Sequence, residues 1–200
     1  HLLRGTAGVA AMYLFFFAIA TIPLAQATPV LLLSPFLIPI IGRVWLKEYV
    51  ARQTWLAILL GFVGVFIFLS PWQASISPIV GVAFIAAVFA AFTKTVIRKM
   101  SVTESTSKIV FYFSTYATIA SAIPLIWLWQ PMPYEDWLGV IAMGSLAVYG
   151  QLAMTKAFSI APPAKVGVFT YTSVMFAALL GYLFFDEVVA WHMFWGAIII

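Results

Sequence analysis

Residues 3–50 read LRGTAGVAAMYLFFFAIATIPLAQATPVLLLSPFLIPIIGRVWLKEYV. Arg4 opens this stretch and Arg43 and Lys47 close it, with two apolar runs between them, residues 5–22 and 28–46, parted by Pro23. At about 1.5 Å per residue, each run is long enough to cross most of a hydrocarbon layer about 30 Å thick. Two crossings return the chain to the side it left, so the basic residues meet at one face. The second run holds Pro29, Pro35 and Pro39. A proline inside a soluble helix costs about 3 kcal/mol. In a membrane bundle neighbouring helices can satisfy the freed carbonyls. That run is therefore expected to be kinked and packed among other helices.

The rest of the chain follows the same plan. Further apolar runs cover about residues 54–69, 79–97, 108–129, 137–155 and 163–185, and another begins near Trp191. That predicts an all-α polytopic membrane protein with seven full spans and part of an eighth. Ten residues are Lys or Arg: Arg4, Arg43, Lys47, Arg52, Lys94, Arg98, Lys99, Lys108, Lys156 and Lys165. Alternating spans place all of them at one face, which the positive-inside rule makes cytoplasmic. Lys94, one turn inside Arg98, is expected to snorkel to the headgroups. The loop at residues 71–78 is uncharged, while Glu135, Asp136, Asp186 and Glu187 fall on the external side. Trp72, Trp127, Trp129, Trp137 and Trp191 fall near span ends, as interfacial rings do. The chain begins at His1 and stops inside an apolar run, so it reads as a piece of a longer protein.

Composition excludes several classes. With 64% hydrophobic and 8% charged residues, a soluble domain would lack a wetted surface. The net charge of +4 comes from residues flanking apolar helices, so no nucleic-acid partner is expected. There is no cysteine and there are two histidines, which leaves no ready metal site. A membrane-embedded transferase would need clustered Asp, His or Arg, and none is seen. No GxxxxGK[ST] loop is present, so no nucleotide site or other cofactor is expected and no catalytic residue is assigned.

Sliding the chain by 139 residues aligns its first two spans with the sixth and seventh. Gly5 then falls on Gly144, Pro23 on Pro162, Ser34 on Ser173, Gly42 on Gly181 and Glu48 on Glu187, without a gap. Five span starts separate the copies, an odd number, so the copies would run in opposite directions. Inverted repeats are the architecture of alternating access.

Residues 3–50, with the Pro23-Leu24-Ala25 turn, Pro35 and Leu46-Lys47-Glu48, resemble the third and fourth helices of an EamA-type repeat. Residues 157–187, AFSIAPPAKVGVFTYTSVMFAALLGYLFFDE, look like the second copy. Lys47-Glu48 and Asp186-Glu187 stand where the family usually ends in Gly-Glu. That family belongs to the drug/metabolite transporter superfamily, whose members typically have ten helices in two inverted repeats. The resemblance implies that residues 1–70 are the later part of a first repeat. It implies that residues 79–200 are a second repeat, truncated at its C-terminus. It also implies a secondary carrier in the inner or plasma membrane that moves small organic metabolites, amino-acid-like solutes outward first. Uptake of nucleoside-like or cofactor-like solutes and a non-transporting scaffold are the alternatives. The partners are then a small organic solute, membrane lipid and possibly a coupling proton, with monomer and homodimer both open.

Polar residues within spans are the candidates for a solute site, because hydrocarbon does not compensate their desolvation. They are Tyr171 first, then Gln151, Tyr13, Tyr149, Ser34, Ser173, Tyr112 and Tyr116. Tyr171 could hydrogen-bond a solute and offer its ring face to a cation, or bond a neighbouring helix. Gln151 reads as a solute contact or as glue between helices, and the two serines as packing residues first. Glu48 at a span end could pair with a mobile cation as a gate, or merely sit at the interface.

Overall fold

A computed structural model describes residues 1–22, 24–69, 78–185 and 190–199. Pro23, the loop residues 71–77 with Trp72, and Asp186 and Glu187 lie outside the described residues. The described residues form ten α-helices joined by short turns. α1 (Leu2–Thr21) leads to α2 (Leu24–Leu31) and α3 (Ser34–Ile41), which continues into a π-helical turn, Gly42–Leu46. α4 (Arg52–Leu69), α5 (Val80–Met100), α6 (Thr106–Leu128) and α7 (Trp137–Ile160) are long and unbroken. α8 (Pro163–Val168), a 3-10 turn at Phe169–Tyr171 and α9 (Thr172–Phe185) form one more crossing, and α10 (Trp191–Ile199) follows.

Among the described residues, five stretches are long and apolar enough to cross a membrane: Leu2–Thr21, Val80–Met100, Thr106–Leu128, Tyr134–Ile160 and Pro163–Phe184. Ser34–Leu46 and Arg52–Ile67 are shorter apolar helices. The chain is an all-α polytopic membrane protein. α7 runs five residues past the expected end at Thr155, because nothing before Ala161 breaks it.

The prolines decide where the second crossing breaks. Pro35 has no N–H for the carbonyl of Leu31, and its ring would clash with that carbonyl in a continuous helix. The chain instead turns at Leu32 and Leu33, where the Phe36 N–H bonds the Leu33 carbonyl at 2.9 Å. The π turn ends at Lys47, which takes the left-handed conformation (φ 56°, ψ 25°). The later crossing breaks at the matching place. Shifted by 139 residues, Leu32 falls on Tyr171, at the end of the 3-10 turn. The caps match as well: Ile22 after α1 (φ −126°, ψ 154°) and Ala161 after α7 (φ −136°, ψ 155°) stand 139 apart.

α5 is the hub, packing against α1, α2, α3 and α7. Its buried face carries Ala83, Ala86, Ala87 and Ala91. Such small side chains let helix backbones approach closely, which is how helices associate where lipid removes the hydrophobic drive. α6 and the first half of α7 point large apolar groups outward, among them Trp127, Leu138 and Leu146. Those faces suit a hydrocarbon solvent.

Candidate functional site

The eight candidate residues do not form one cluster. Tyr171 sits at the break between α8 and α9, 1% exposed, in a buried group with Leu32, Val65 and Val174. Gly61 of α4 lies directly against the ring, so close that an added Cβ would fall 2.8 Å from Cε2. Buried to this degree, the ring has no face open to a solute. The hydroxyl is buried and has no hydrogen-bond partner, a condition that costs about 1–3 kcal/mol. This is a packed tyrosine with one unsatisfied polar atom.

Ser34 is also buried, just after the break between α2 and α3. Its Oγ accepts from the Lys94 ammonium at 3.4 Å. Lys94 thus points into the bundle, not toward the end of α5. The repeat-matched Ser173 behaves differently: it is exposed and donates to the Thr170 carbonyl of its own chain segment at 2.6 Å. Tyr13 and Tyr149 are 42% and 73% exposed.

The third grouping has a centre that hydropathy did not reveal. Arg4 is only 3% exposed. Its guanidinium lies over the Phe113 ring, with Cζ 3.7 Å from the centroid, and Nη2 donates to Gln151 Oε1 at 3.3 Å. Nε and Nη1 are buried without partners. Gly8, one turn on, makes room: a Cβ there would collide with Nη1 and stand 2.7 Å from Phe113 Cε2. Gly5 does the same for Tyr116, whose Cδ1 would be 2.7 Å from an added Cβ. The Tyr112 ring lies 4.2 Å from that of His1.

Arg4 is not at a helix end in the bundle's frame. Phe113 lies seven residues into α6, about 10 Å along its axis, and Gln151 nine residues before the end of α7, about 14 Å. The guanidinium thus meets residues of α6 and α7 inside their helices, while His1, one turn before it, reaches Glu104 in the turn before α6 at 3.7 Å. A desolvated cation–π contact supplies about 2 kcal/mol and a charged hydrogen bond about 1.5–3. Burying an ion costs several kcal/mol and is normally met by a counter-charge. Here the balance is short by one anion. A signal for this was present in the sequence. Arg4 and Gly8 are four apart and share a helix face, and a glycine face is a packing face.

At the basic end, Glu48 Oε1 accepts from Arg98 Nε at 3.0 Å, and Arg98 Nη1 donates to the Ser159 carbonyl at 2.8 Å. One arginine thus fastens the ends of the second, fourth and sixth crossings. Lys99 adds a contact over Trp45, 4.4 Å from its ring centroid. A separate cavity of about 500 Å³ opens between α9 and α10. Its walls are apolar, Met175, Phe176, Leu179, Tyr182, Met193 and Phe194 among them, and none of the eight candidates lines it.

The EamA-like transporter family matches residues 1–70 and 77–200, and the chain belongs to that family. It is 35% identical over 190 residues to the pseudopaline exporter of Pseudomonas aeruginosa, covering 94% of this chain and 66% of that one. The chain thus spans just under two thirds of that exporter's length. It is 32% identical over 207 residues to the riboflavin transporter of Vibrio cholerae, covering all of this chain and 68% of that one. One crystal structure of a protein superposes with a TM-score of 0.80 at 20% identity, covering 98% of this chain and 70% of that chain. That likeness concerns the fold alone. Membership places the chain among transporters, which are not enzymes.

Proposed function

We propose that this member of the EamA-like transporter family works by alternating access and moves amino-acid-like solutes outward across an inner or plasma membrane. The observation that carries this is the meeting of the two helix breaks. Leu32 and Tyr171, 139 residues apart, lie in one buried group. Broken crossings that meet near the midplane are where inverted-repeat carriers hold their solutes and about which their halves rock. The basic face is cytoplasmic on this reading, and the Glu48–Arg98–Ser159 fastening closes it. Residues 1–70 and 79–200 then belong to successive, oppositely oriented repeats. The relative that exports pseudopaline favours outward movement. The relative that transports riboflavin supports a second reading, a cofactor-like solute. Among the described residues every carboxylate lies outside α1 to α10: Glu48, Glu104, Glu135 and Asp136. A coupling proton would therefore need a carrier elsewhere in the protein.

The test is thermal stabilisation of the purified full-length protein by amino acids, polyamines, nucleosides and vitamins. A saturable stabilisation, weakened by Gln151→Ala, is expected. Tyr171→Phe is expected to raise ligand-free stability by about 1 kcal/mol, since it removes an unpaired buried hydroxyl. It weakens solute binding only if that hydroxyl receives the solute. Folded protein that no member of the panel stabilises would overturn the carrier reading in favour of a scaffold.

A further inference from the structure

We propose that Arg4, held by Phe113 and Gln151, is the receptor for a carboxylate, and that the transported solute supplies it. The inference rests on the carrier reading and names the chemical class of its solute. Three observations support it.

The first is an unfilled demand. Arg4 is 97% buried by its 3% exposure, yet its Nε–H and the two hydrogens of Nη1 have no acceptor. A guanidinium carries five N–H donors in one plane and cannot give up its proton to escape burial. Its one protein partner is the neutral Gln151, at the long distance of 3.3 Å. The acceptor that suits the remaining donors is an anion, and the fork matches a carboxylate.

The second is preorganisation. Stacking on Phe113 fixes the guanidinium plane, and Gln151 fixes its rotation about that plane. Gly8 leaves the gap the group occupies, because any Cβ there would collide with Nη1. A surface arginine that merely flanks a helix needs none of these.

The third is charge. Lys94 also points inward, to Ser34, while α1 to α10 hold no carboxylate among the described residues. Two cations inside the bundle with no internal acid give a field that attracts anionic groups and repels cationic ones.

The carboxylate has two possible sources, the solute or another part of the full-length protein, and the experiment separates them. Full-length wild type, Arg4→Met and Arg4→Lys are compared in thermal melts with matched pairs of amino acids and their amides. Arg4→Met keeps the apolar stem and removes the charge. The acids should stabilise wild type with an affinity about thirtyfold or more above their amides. Arg4→Met should abolish that preference without lowering ligand-free stability, and Arg4→Lys should keep part of it. Amides equal to acids in wild type, or an acid preference that survives Arg4→Met, would overturn the proposal while leaving the carrier intact. A large loss of ligand-free stability in both variants would assign the carboxylate to the protein itself, and would equally overturn it. Silence from every acid and amide, in folded protein that a neutral nucleoside or vitamin stabilises, would refute the anchor alone. Silence from all solutes would refute the carrier reading with it.

Discussion

Gly61→Ala tests the closest approach in the bundle, where α4 meets the break at Tyr171. A Cβ on Gly61 would lie 2.8 Å from Tyr171 Cε2 and 3.4 Å from Cγ, and closer still to Cδ2. The ring has nowhere to go, because Leu32, Val65 and Val174 enclose it. Overpacking of this kind costs about 1–3 kcal/mol. Replacing a helical glycine by alanine returns about 1 kcal/mol of helix propensity. Taking about 2 for the clash, the net loss is about 1 kcal/mol. For a chain of this size that is about 2–4 °C in melting temperature. The decisive measurement repeats the substitution with Tyr171→Leu in place. Without the ring edge the clash term vanishes and only the propensity gain remains, so Gly61→Ala should then raise the melting temperature by a similar amount. The two residues touch, so the cycle should show a coupling of about 2 kcal/mol. A stabilising Gly61→Ala with Tyr171 intact would refute the argument, as would the same loss in both backgrounds. Either result would mean that α4 and the break do not pack as closely as described.

Three other substitutions probe other parts of the bundle. Glu48→Gln removes the carboxylate charge that faces Arg98 across a partly buried 3.0 Å contact, worth about 1 kcal/mol at such a site, or about fivefold in an opening equilibrium. These 200 residues contain no cysteine, so a single Ala91→Cys, buried behind the fastening, reports opening. Its thiol labelling rate in Glu48→Gln should rise about fivefold, and an unchanged rate would show that the pair is no latch. Ser34→Ala should cost about 1–2 kcal/mol, because it strips Lys94 of its acceptor. Ser173→Ala should cost under about 0.5 kcal/mol, because its hydroxyl is exposed and serves only the local backbone. Equal losses in denaturation of the two variants would contradict the assigned partners.

Helical spans and the break before Pro35 were legible in the sequence because they depend on local terms, whereas the break at Phe169–Tyr171, which holds no proline, was not. A long run of uncharged apolar residues suits a membrane crossing, and Pro35 leaves the Leu31 carbonyl without its helical donor, although Pro39 and Pro124 stand inside continuous helices. The matched caps at Ile22 and Ala161 follow the same logic, since Pro23 and Pro162 come next in each copy. Side-chain partners were not legible, because they depend on how far one helix is displaced along another. Lys94 lies six residues inside the end of α5, within reach of headgroups on length alone, and only the position of Ser34 turns it inward. Arg4 shows the larger difference. Counted along its own helix it is a flank. Counted along α6 it stands opposite Phe113, two turns inside.

That displacement changes what a solute would meet. The sequence directs attention to Tyr171 as a ring open to a cation, yet Gly61 and three aliphatic residues cover it, leaving only its hydroxyl without a partner. Two of the five unsatisfied buried side-chain atoms among the described residues belong to a cation. They are the Nε and Nη1 of Arg4, with the hydroxyls of Thr93, Thr155 and Tyr171 beside them in the same condition. Hydroxyls adapt, donating or accepting as a neighbour demands. A guanidinium only donates. An interior with fixed donors, adaptable hydroxyls and no carboxylate among the described residues of its helices discriminates by sign before it discriminates by shape. A polyamine entering it gains no acceptor of opposite charge and meets two cations. A carboxylate supplies the charge that burial of Arg4 leaves uncompensated. Selectivity of this kind rests less on contacts optimised for one solute than on a charge left unpaired until the right class arrives.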